Sequence, residues 1–588
     1  MPAFTSIVDL FEQSTKKFSD RELFGVKKDG VWSFLTYGEV KKQVDKARAG
    51  LASLGFGRGD RLAIISNNRV EWAVAAYAAN GLGGAVVPMY EVQHDEEWEF
   101  IIKDCAAKLV LVANKKILGK VEKFRDKLES VERVLCIEGA SSEEGSFAWL
   151  MEQGKDAKAP PFEPDSKDTA CFIYTSGTTG APKGVILSHG NIISNVNGVQ
   201  HLLDVTPNDR SLSFLPWAHS FGFTCELHHM ISRGASMALN SAVENLVAEL
   251  AEVKPTMLYA VPRIFNRIYD SVSKTMAEKS PMIQGLFKDA IRASNKQRDG
   301  EALSTVEGLK LWLAKKIIFG KIIARFGGNL KYAFSGGAAL SKDVANFVDG
   351  MGIIVYEGYG LTETSPIATC NSPKGRRVGS VGKALPDVEI IIDTKITGDE
   401  KNGEILVKGP NIMQGYHNRA EENAAVLMAD GSFRTGDMGH LDGDGYLWIT
   451  GRIKEQYKLE NGKYIVPSPL EEEMKLSSWI INVMIHGANK PYNVALIVPD
   501  PDTVKKWAAH EGLTGTYEEL LENKKTLVKM AEEVEKACAS FRGIDKVKKF
   551  ALVADDFTVA NEMLTPSMKL KRRNVIAKYN DRIEALYE

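Results

Sequence analysis

Tyr174-Thr175-Ser176-Gly177-Thr178-Thr179-Gly180-Ala181-Pro182-Lys183-Gly184 is the stretch on which the reading of this chain turns. It follows the apolar run 170–174 and places three glycines, four hydroxyl side chains and one lysine in the next ten residues. A strand that ends in such a loop suits phosphate. Glycines let the backbone approach and turn its N–H groups inward, hydroxyls donate hydrogen bonds, and the lysine supplies a point charge. The spacing is not that of a Walker A loop, which needs four residues between its first glycine and a Gly-Lys-Ser/Thr run. A solvated surface loop accounts for the glycines and hydroxyls but not for the Pro182-Lys183-Gly184 that directly follows them.

Working outward, the first 170 residues alternate helical and strand patterns. Val40, Val44, Ala47, Leu51 and Leu54 recur at helical spacing, and Gly55 and Gly57 stop the helix. Short continuous apolar runs at 61–65, 108–112 and 134–137 read as strands covered on both faces, hence mainly parallel α/β layers. After the loop, Ser211-Leu212-Ser213-Phe214 runs into a turn, Pro216-Trp217-Ala218-His219-Ser220-Phe221-Gly222. Two further strand-then-turn units are Lys331–Leu340, carrying Ser335-Gly336-Gly337-Ala338, and Ile353–Thr364, carrying Glu357-Gly358-Tyr359-Gly360-Leu361-Thr362-Glu363. Antiparallel strands with tight turns follow, one containing Thr435-Gly436-Asp437 and the next Gly451-Arg452-Ile453-Lys454. Near the end stands Leu564-Thr565-Pro566-Ser567-Met568-Lys569.

These motifs, in this order, resemble those of the adenylate-forming superfamily: acyl-CoA synthetases, peptide-synthetase adenylation domains and luciferase. The likeness runs from Tyr174 to Lys569. It implies an α/β fold with a large N-terminal domain (1–451) of layered α/β subdomains plus a β-barrel-like subdomain. That domain is hinged to a small mobile C-terminal α+β domain (452–588). The resemblance gives ATP contacts to Thr175, Ser176, Gly177, Thr178, Thr179, Gly180 and Lys183. It gives further AMP contacts to Gly336, Gly337, Ala338, Glu357, Gly358, Tyr359, Gly360 and Thr362, ribose to Asp437, and ribose or phosphate to Arg452. Tyr359 can stack on adenine, Thr362 can reach the α-phosphate, and Glu363 can hold Mg²⁺ through oxygen. His219 and Gly382 fall on the carboxylate and acyl pocket, and Phe223 on an aromatic gate at a tunnel mouth. Lys454 is the implied pivot, Lys458 and Gly462 lie toward the coenzyme A route, and Lys569 is the implied catalytic lysine with Lys571 as fallback. Many members carry a glycine directly before that lysine; this chain has Met568.

The branch is narrowed by two features. The segment between Phe265 and Ser335 is long and helical, as in long-chain acyl-CoA synthetases and unlike luciferase-like members. No acidic residue lies between Ser213 and Phe223, where peptide synthetases hold an ammonium group. The expectation is therefore activation of a fatty acid with ATP and transfer to coenzyme A. An acyl-AMP ligase serving a carrier protein and a medium-chain or aryl acyl-CoA synthetase are the alternatives. A non-catalytic fatty-acid-binding protein of the same fold is disfavoured by the presence of Lys183, Glu363, Asp437 and Lys569 together.

Composition agrees with a protein of this kind. The 588 residues are too many for one ordinary core. A net charge of −2 gives no global field for nucleic acid. Six scattered cysteines without a Cys-x-x-Cys argue for reduced thiols and a cytoplasmic location. The start lacks a secretory pattern, and no apolar run nears the roughly 18 residues of a membrane span. Peripheral membrane association and a homodimer stay open. Helices carrying Met282, Ile283, Leu286, Phe287, Ala290 and Ile291, then Trp312, Leu313, Ile317 and Ile318, are read as packing their apolar faces on the core with lysines in solvent.

Overall fold

The computed structural model describes residues 4–175, 181–395 and 400–588. Among these, the apolar runs of the first 170 residues form the parallel heart of a seven-stranded sheet. Arg61–Ile65 lies between Ala85–Met89 and Leu109–Val112, with Arg133–Cys136 outside the latter, all parallel. Both faces are covered by helices, which explains why these strands are continuously apolar and not alternating. The other edge is antiparallel: Thr169–Thr175 pairs with Lys183–Ser188, which pairs with Gly415–Tyr416.

A nine-stranded sheet stands beside it. Its parallel centre runs Tyr332–Ser335, Met257–Ala260, Arg210–Ser213 and Ser236–Leu239. Val355–Gly360 adds parallel to Tyr332–Ser335, and Gly358–Gly360, expected as a turn, continues the strand and pairs antiparallel with Ile367–Cys370. The largest core cluster fills the space between the two sheets, with Trp72, Trp217 and Phe223 fully buried. The β-barrel-like piece corresponds to a four-stranded antiparallel sheet of Glu389–Asp393, Gly403–Lys408, Ser432–Leu441 and Leu447–Arg452.

The last residues form an α+β unit. Ile480–His486, Asn493–Pro499 and Val547–Leu552 make its sheet, and separate clusters on the two faces give it its own core. It rests against the larger part through His94 Nε2 at 3.2 Å from the Val559 carbonyl and Ser341 donating to Glu473 at 3.3 Å.

The segment 281–325 departs from expectation. Pro281–Arg298 and Thr305–Ala314 are helices, and the second continues through a π turn at Lys315–Phe319 into Gly320–Arg325. Its core-facing side is Leu311, Ala314, Ile318, Phe319 and Ile322. Trp312, Leu313 and Ile317 point to solvent instead, as does Met282. The segment has two apolar sides, and only one is buried.

Candidate active site

Thr175 and Lys183, which bracket the phosphate-type stretch, face each other across the last rung of an antiparallel ladder. Ser176, Gly177, Thr178, Thr179 and Gly180 lie outside the described residues. The Lys183 ammonium sits 5.2 Å from the centre of the Tyr416 ring and 3.6 Å from Glu422. Tyr416 donates its hydroxyl to Glu363 Oε1 at 2.7 Å. A residue on the neighbouring strand thus ties the loop lysine to the acidic residue of the Thr362-Glu363 motif. Nothing in the sequence marked Tyr416, because its role depends on a two-residue strand pairing formed more than 200 positions downstream of Lys183.

Gly336, Gly337 and Ala338 leave the C-terminal end of Tyr332–Ser335. Gly336 is buried with a would-be Cβ 3.2 Å from the Phe221 ring, while Gly337 and Ala338 are exposed. Gly337 has φ +84°, a left-handed conformation that glycine adopts freely. On the adjacent strand, the Glu357 carboxyl is buried and accepts the Gly379 N–H at 3.3 Å. Burial pushes its pKa up to about 7, against the pull of that N–H. Gly358 and Gly360 flank Tyr359, and a side chain at Gly360 would collide with the Pro366 carbonyl. The Tyr359 hydroxyl donates to Asp437 Oδ2 at 2.8 Å, and Arg452 Nε donates to Asp437 Oδ1 at 2.6 Å. Asp437 and Arg452 are direct partners across two antiparallel strands, which fixes that pair. Hydrogen bonds through Asp437 therefore join Tyr359 and Arg452, residues that the sequence placed in separate motifs.

The His219 turn meets the Thr362-Glu363 motif. Ser220 Oγ lies 3.3 Å from Thr362 Oγ1, and the Phe221 N–H donates to His219 Nδ1 at 3.2 Å. Burial, then the charge of Lys569, pushes the His219 pKa down to about 4, so its ring is neutral at ordinary pH. Lys569 arrives from the C-terminal unit on a tight turn, with Thr565 N–H donating to the Lys569 carbonyl and Thr565 Oγ1 accepting the Lys569 N–H. Surrounding protein pushes its ammonium below the usual lysine range, first by desolvation and then by Arg452. Asp437, Glu363 and Glu455 oppose that shift. Lys569, and not Lys571, carries these interactions. Met568 has φ +64°, the conformation that a glycine before the lysine takes without steric cost. Arg572 is not part of a solvated basic run: it is bound by both oxygens of Glu471 and donates to the Ile485 carbonyl.

Other expectations change place. Phe223 is fully buried in the largest core cluster, edge-on to His228 at 4.4 Å and Trp72 at 6.0 Å. It follows His219 by one helical turn, and that turn points inward. Gly382 is buried with φ +83°, and a Cβ there would stand 2.0 Å from the Cys370 carbonyl carbon. A close backbone crossing fixes that glycine. Lys454 is exposed on the turn after Leu447–Arg452, beside a cavity of about 170 Å³ lined by Tyr457, His486 and Arg572. Lys458 and Gly462 belong to the hairpin Tyr457–Lys458/Tyr464–Ile465, with Lys458 Nζ 5.4 Å from the Tyr464 ring and Gly462 turning at φ +81°.

One buried acid was missed. Glu226 accepts the hydroxyls of Ser211 at 2.7 Å and Ser213 at 2.8 Å, and burial pushes its pKa up to about 7. It lies just beyond the window in which the sequence has no acidic residue.

Residues 11–417 match the model of the AMP-binding enzyme family, and residues 454–588 match the AMP-binding enzyme C-terminal domain. The long-chain-fatty-acid–CoA ligase FadD15 of Mycobacterium tuberculosis is 32% identical over 573 residues, spanning 95% of this chain and 93% of its own. The peroxisomal long chain acyl-CoA synthetase 7 of Arabidopsis thaliana is 30% identical over 617 residues, spanning 100% of this chain and 87% of its own. The adenylation domain of a carboxylate reductase from Mycobacterium chelonae shares the fold with a TM-score of 0.81 at 20% identity, covering 100% of this chain and 92% of that one. ATP-bound MatB from Rhodopseudomonas palustris does so with a TM-score of 0.72 at 23% identity, covering 98% and 99%. The chain belongs to the AMP-binding, adenylate-forming enzyme superfamily.

Proposed function

We propose that this protein is a long-chain fatty acyl-CoA synthetase. Activation of a carboxylic acid as its adenylate is the chemistry of its family; the fatty chain and coenzyme A are the further step. The observation that carries it is Lys569, brought by the turn of the C-terminal unit within electrostatic reach of His219, Arg452, Asp437 and Glu363, in a chain whose full-length relatives are named as long-chain ligases.

In the first half-reaction a carboxylate oxygen attacks the α-phosphorus of ATP and pyrophosphate leaves. Lys569 and Lys183 supply positive charge on either side of the transferring phosphate, a positioning and electrostatic contribution. Asp437 accepts the ribose hydroxyls, and the glycine turn at 336–338 with the glycine-flanked strand end at 358–360 admits the flat base beside the backbone. Neutral His219 lines the carboxylate end without drawing the acid into an ion pair. Glu363, whose Oε1 accepts the Tyr416 hydroxyl beside Lys183, is the carboxylate that would hold a magnesium ion, and the ion would neutralise phosphate charge. In the second half-reaction the coenzyme A thiolate attacks the acyl carbonyl and AMP leaves. Turning of the C-terminal unit about Lys454 withdraws Lys569 and brings the Lys458–Gly462 hairpin toward the cleft.

Incubation with ATP, Mg²⁺ and palmitate, with and without coenzyme A, followed by mass spectrometry, tests this. Palmitoyl-CoA and AMP formed only with coenzyme A support the proposal. Palmitoyl adenylate that accumulates regardless of coenzyme A points to a ligase serving a carrier protein, and failure to consume palmitate while shorter or aryl acids react moves the substrate class.

A further inference from the structure

We propose that the outer face of the helical segment 305–325 docks on an anionic lipid surface. The segment exposes Val306 (62%), Leu309 (64%), Trp312 (53%), Leu313 (36%) and Ile317 (49%) to solvent. Spacings of three and four residues put Val306, Leu309, Leu313 and Ile317 on one stripe, with Trp312 at its margin. The opposite side is buried in the core, so the stripe cannot be explained as a packing face turned the wrong way. From Val306 to Ile317 it runs roughly 17 Å at helical rise. Single exposed apolar residues are ordinary, whereas a contiguous stripe of five on one helix marks an interaction surface.

The segment is held rigidly enough to present that stripe. Lys296 pairs with Glu307 at 2.8 Å and Lys310 with Asp289 at 2.6 Å, fastening it antiparallel to Pro281–Arg298. Continuing that register brings Met282, 81% exposed, to the level of Ile317. The apolar area therefore extends onto the neighbouring helix.

Charge selects the occupant. Within 305–325 stand Lys310, Lys315, Lys316, Lys321 and Arg325 against a single acidic residue, Glu307, which is already paired. Lys315, Lys321 and Arg325 are exposed and make no ion pair among the described residues, and Lys316 Nζ lies 4.5 Å from the Trp312 ring centre. The whole chain carries −2, so attraction to anions is local to such a patch. A convex apolar stripe with basic flanks and a marginal tryptophan is the pattern of a helix lying in the headgroup region, lysine stems spread along the surface and apolar side chains dipped below it. Among the described residues no helix is long and apolar enough to cross a membrane. The contact is one of lying on the surface, and it holds whichever acid the enzyme activates.

The full-length protein is floated with vesicles of phosphatidylcholine, with and without phosphatidylglycerol. Binding is expected to the anionic vesicles at low salt and to weaken at high salt. Lys315→Glu/Lys316→Glu/Lys321→Glu should reduce partitioning on the order of 100-fold. Leu309→Ser/Trp312→Ser/Ile317→Ser should abolish it, and a cooperative thermal transition retained in both triple variants separates lost binding from a folding defect. Absence of flotation, equal binding to neutral and anionic vesicles, or binding unchanged in either variant overturns the proposal. So does a concentration-dependent dimer in sedimentation velocity that the serine variant alone abolishes, which would make a second copy the occupant.

Discussion

Replacing Glu226 by glutamine should raise the thermal midpoint of the large domain by roughly 4 °C at pH 8 and leave it nearly unchanged at pH 4.5. Glu226 is 1% exposed, and its two oxygens accept the Ser211 and Ser213 hydroxyls. Burial carries its pKa from 4.5 up to about 7, the serines pulling the other way. In that window the folded chain keeps a proton that the unfolded chain has lost, so stability falls as pH rises from 4.5 and the full penalty is present above 7. That displacement is worth roughly 3 kcal/mol. Glutamine removes the ionisation, and because a serine hydroxyl can turn to accept, its amide can serve both serines. For a domain matched over 11–417, unfolding entropy near 2.1 cal/mol/K per residue converts 3 kcal/mol into roughly 4 °C. Circular-dichroism melts of both proteins at the two pH values, at one ionic strength, measure it. A Glu226→Gln protein less stable than wild type at pH 8 would mean that the two hydroxyls hold a charged carboxylate comfortably, and the reasoning from burial would fail.

Five other substitutions, at four positions, probe the candidate site. Lys569→Ala should slow adenylate formation by about 10² to 10³ while still converting preformed acyl adenylate and coenzyme A; equal loss in both half-reactions removes the role given to it. Asp437→Ala strips an acceptor from both Tyr359 and Arg452 and should raise the ATP requirement at least tenfold, read as KM for ATP at saturating acid. Gly382→Ala, with its Cβ 2.0 Å from the Cys370 backbone at φ +83°, should cost more than about 2 kcal/mol and lower the melting temperature, whereas a tolerated alanine would show that the crossing can open. Met568→Gly should keep full activity and Met568→Val should lose it, since a β-branched residue at φ +64° displaces the lysine; comparable rates for the two would sink that account.

What could be read from the chain was whatever a short contiguous stretch encodes. The parallel strands at 61–65 and 108–112 declared themselves because burial on both faces demands unbroken apolar residues. The cleft motifs did so because glycine and charge at fixed spacing have few other uses. What stayed hidden depends on long-range pairing. Tyr416 meets Lys183 and Glu363 only through a short edge strand, and Glu226 meets Ser211 and Ser213 only because a helix returns beneath its own preceding strand. Trp312 and Ile317 read as core because periodicity finds an apolar face without saying which side of the helix the protein covers. Here the core took Leu311, Ile318 and Ile322.

The electrostatics of the interior bear on what acid the cleft can take. An amino acid would bring a buried ammonium group, which needs a carboxylate whose oxygens are free to receive it. Glu226 is a buried acid close to the expected place, yet Ser211 and Ser213 occupy its two oxygens, and at neutral pH much of it is protonated. His219 is neutral as well. The carboxylate end therefore offers little fixed charge of its own, and the positive groups that matter, Lys183 and Lys569, stand on the phosphate side and on the C-terminal unit. An uncharged tail is favoured by that arrangement over a charged one. Under the proposed function, movement of the C-terminal unit would take the Lys569 cation away from His219 and Asp437 after the first half-reaction, so the surroundings of the acyl carbonyl in the second would carry less positive charge.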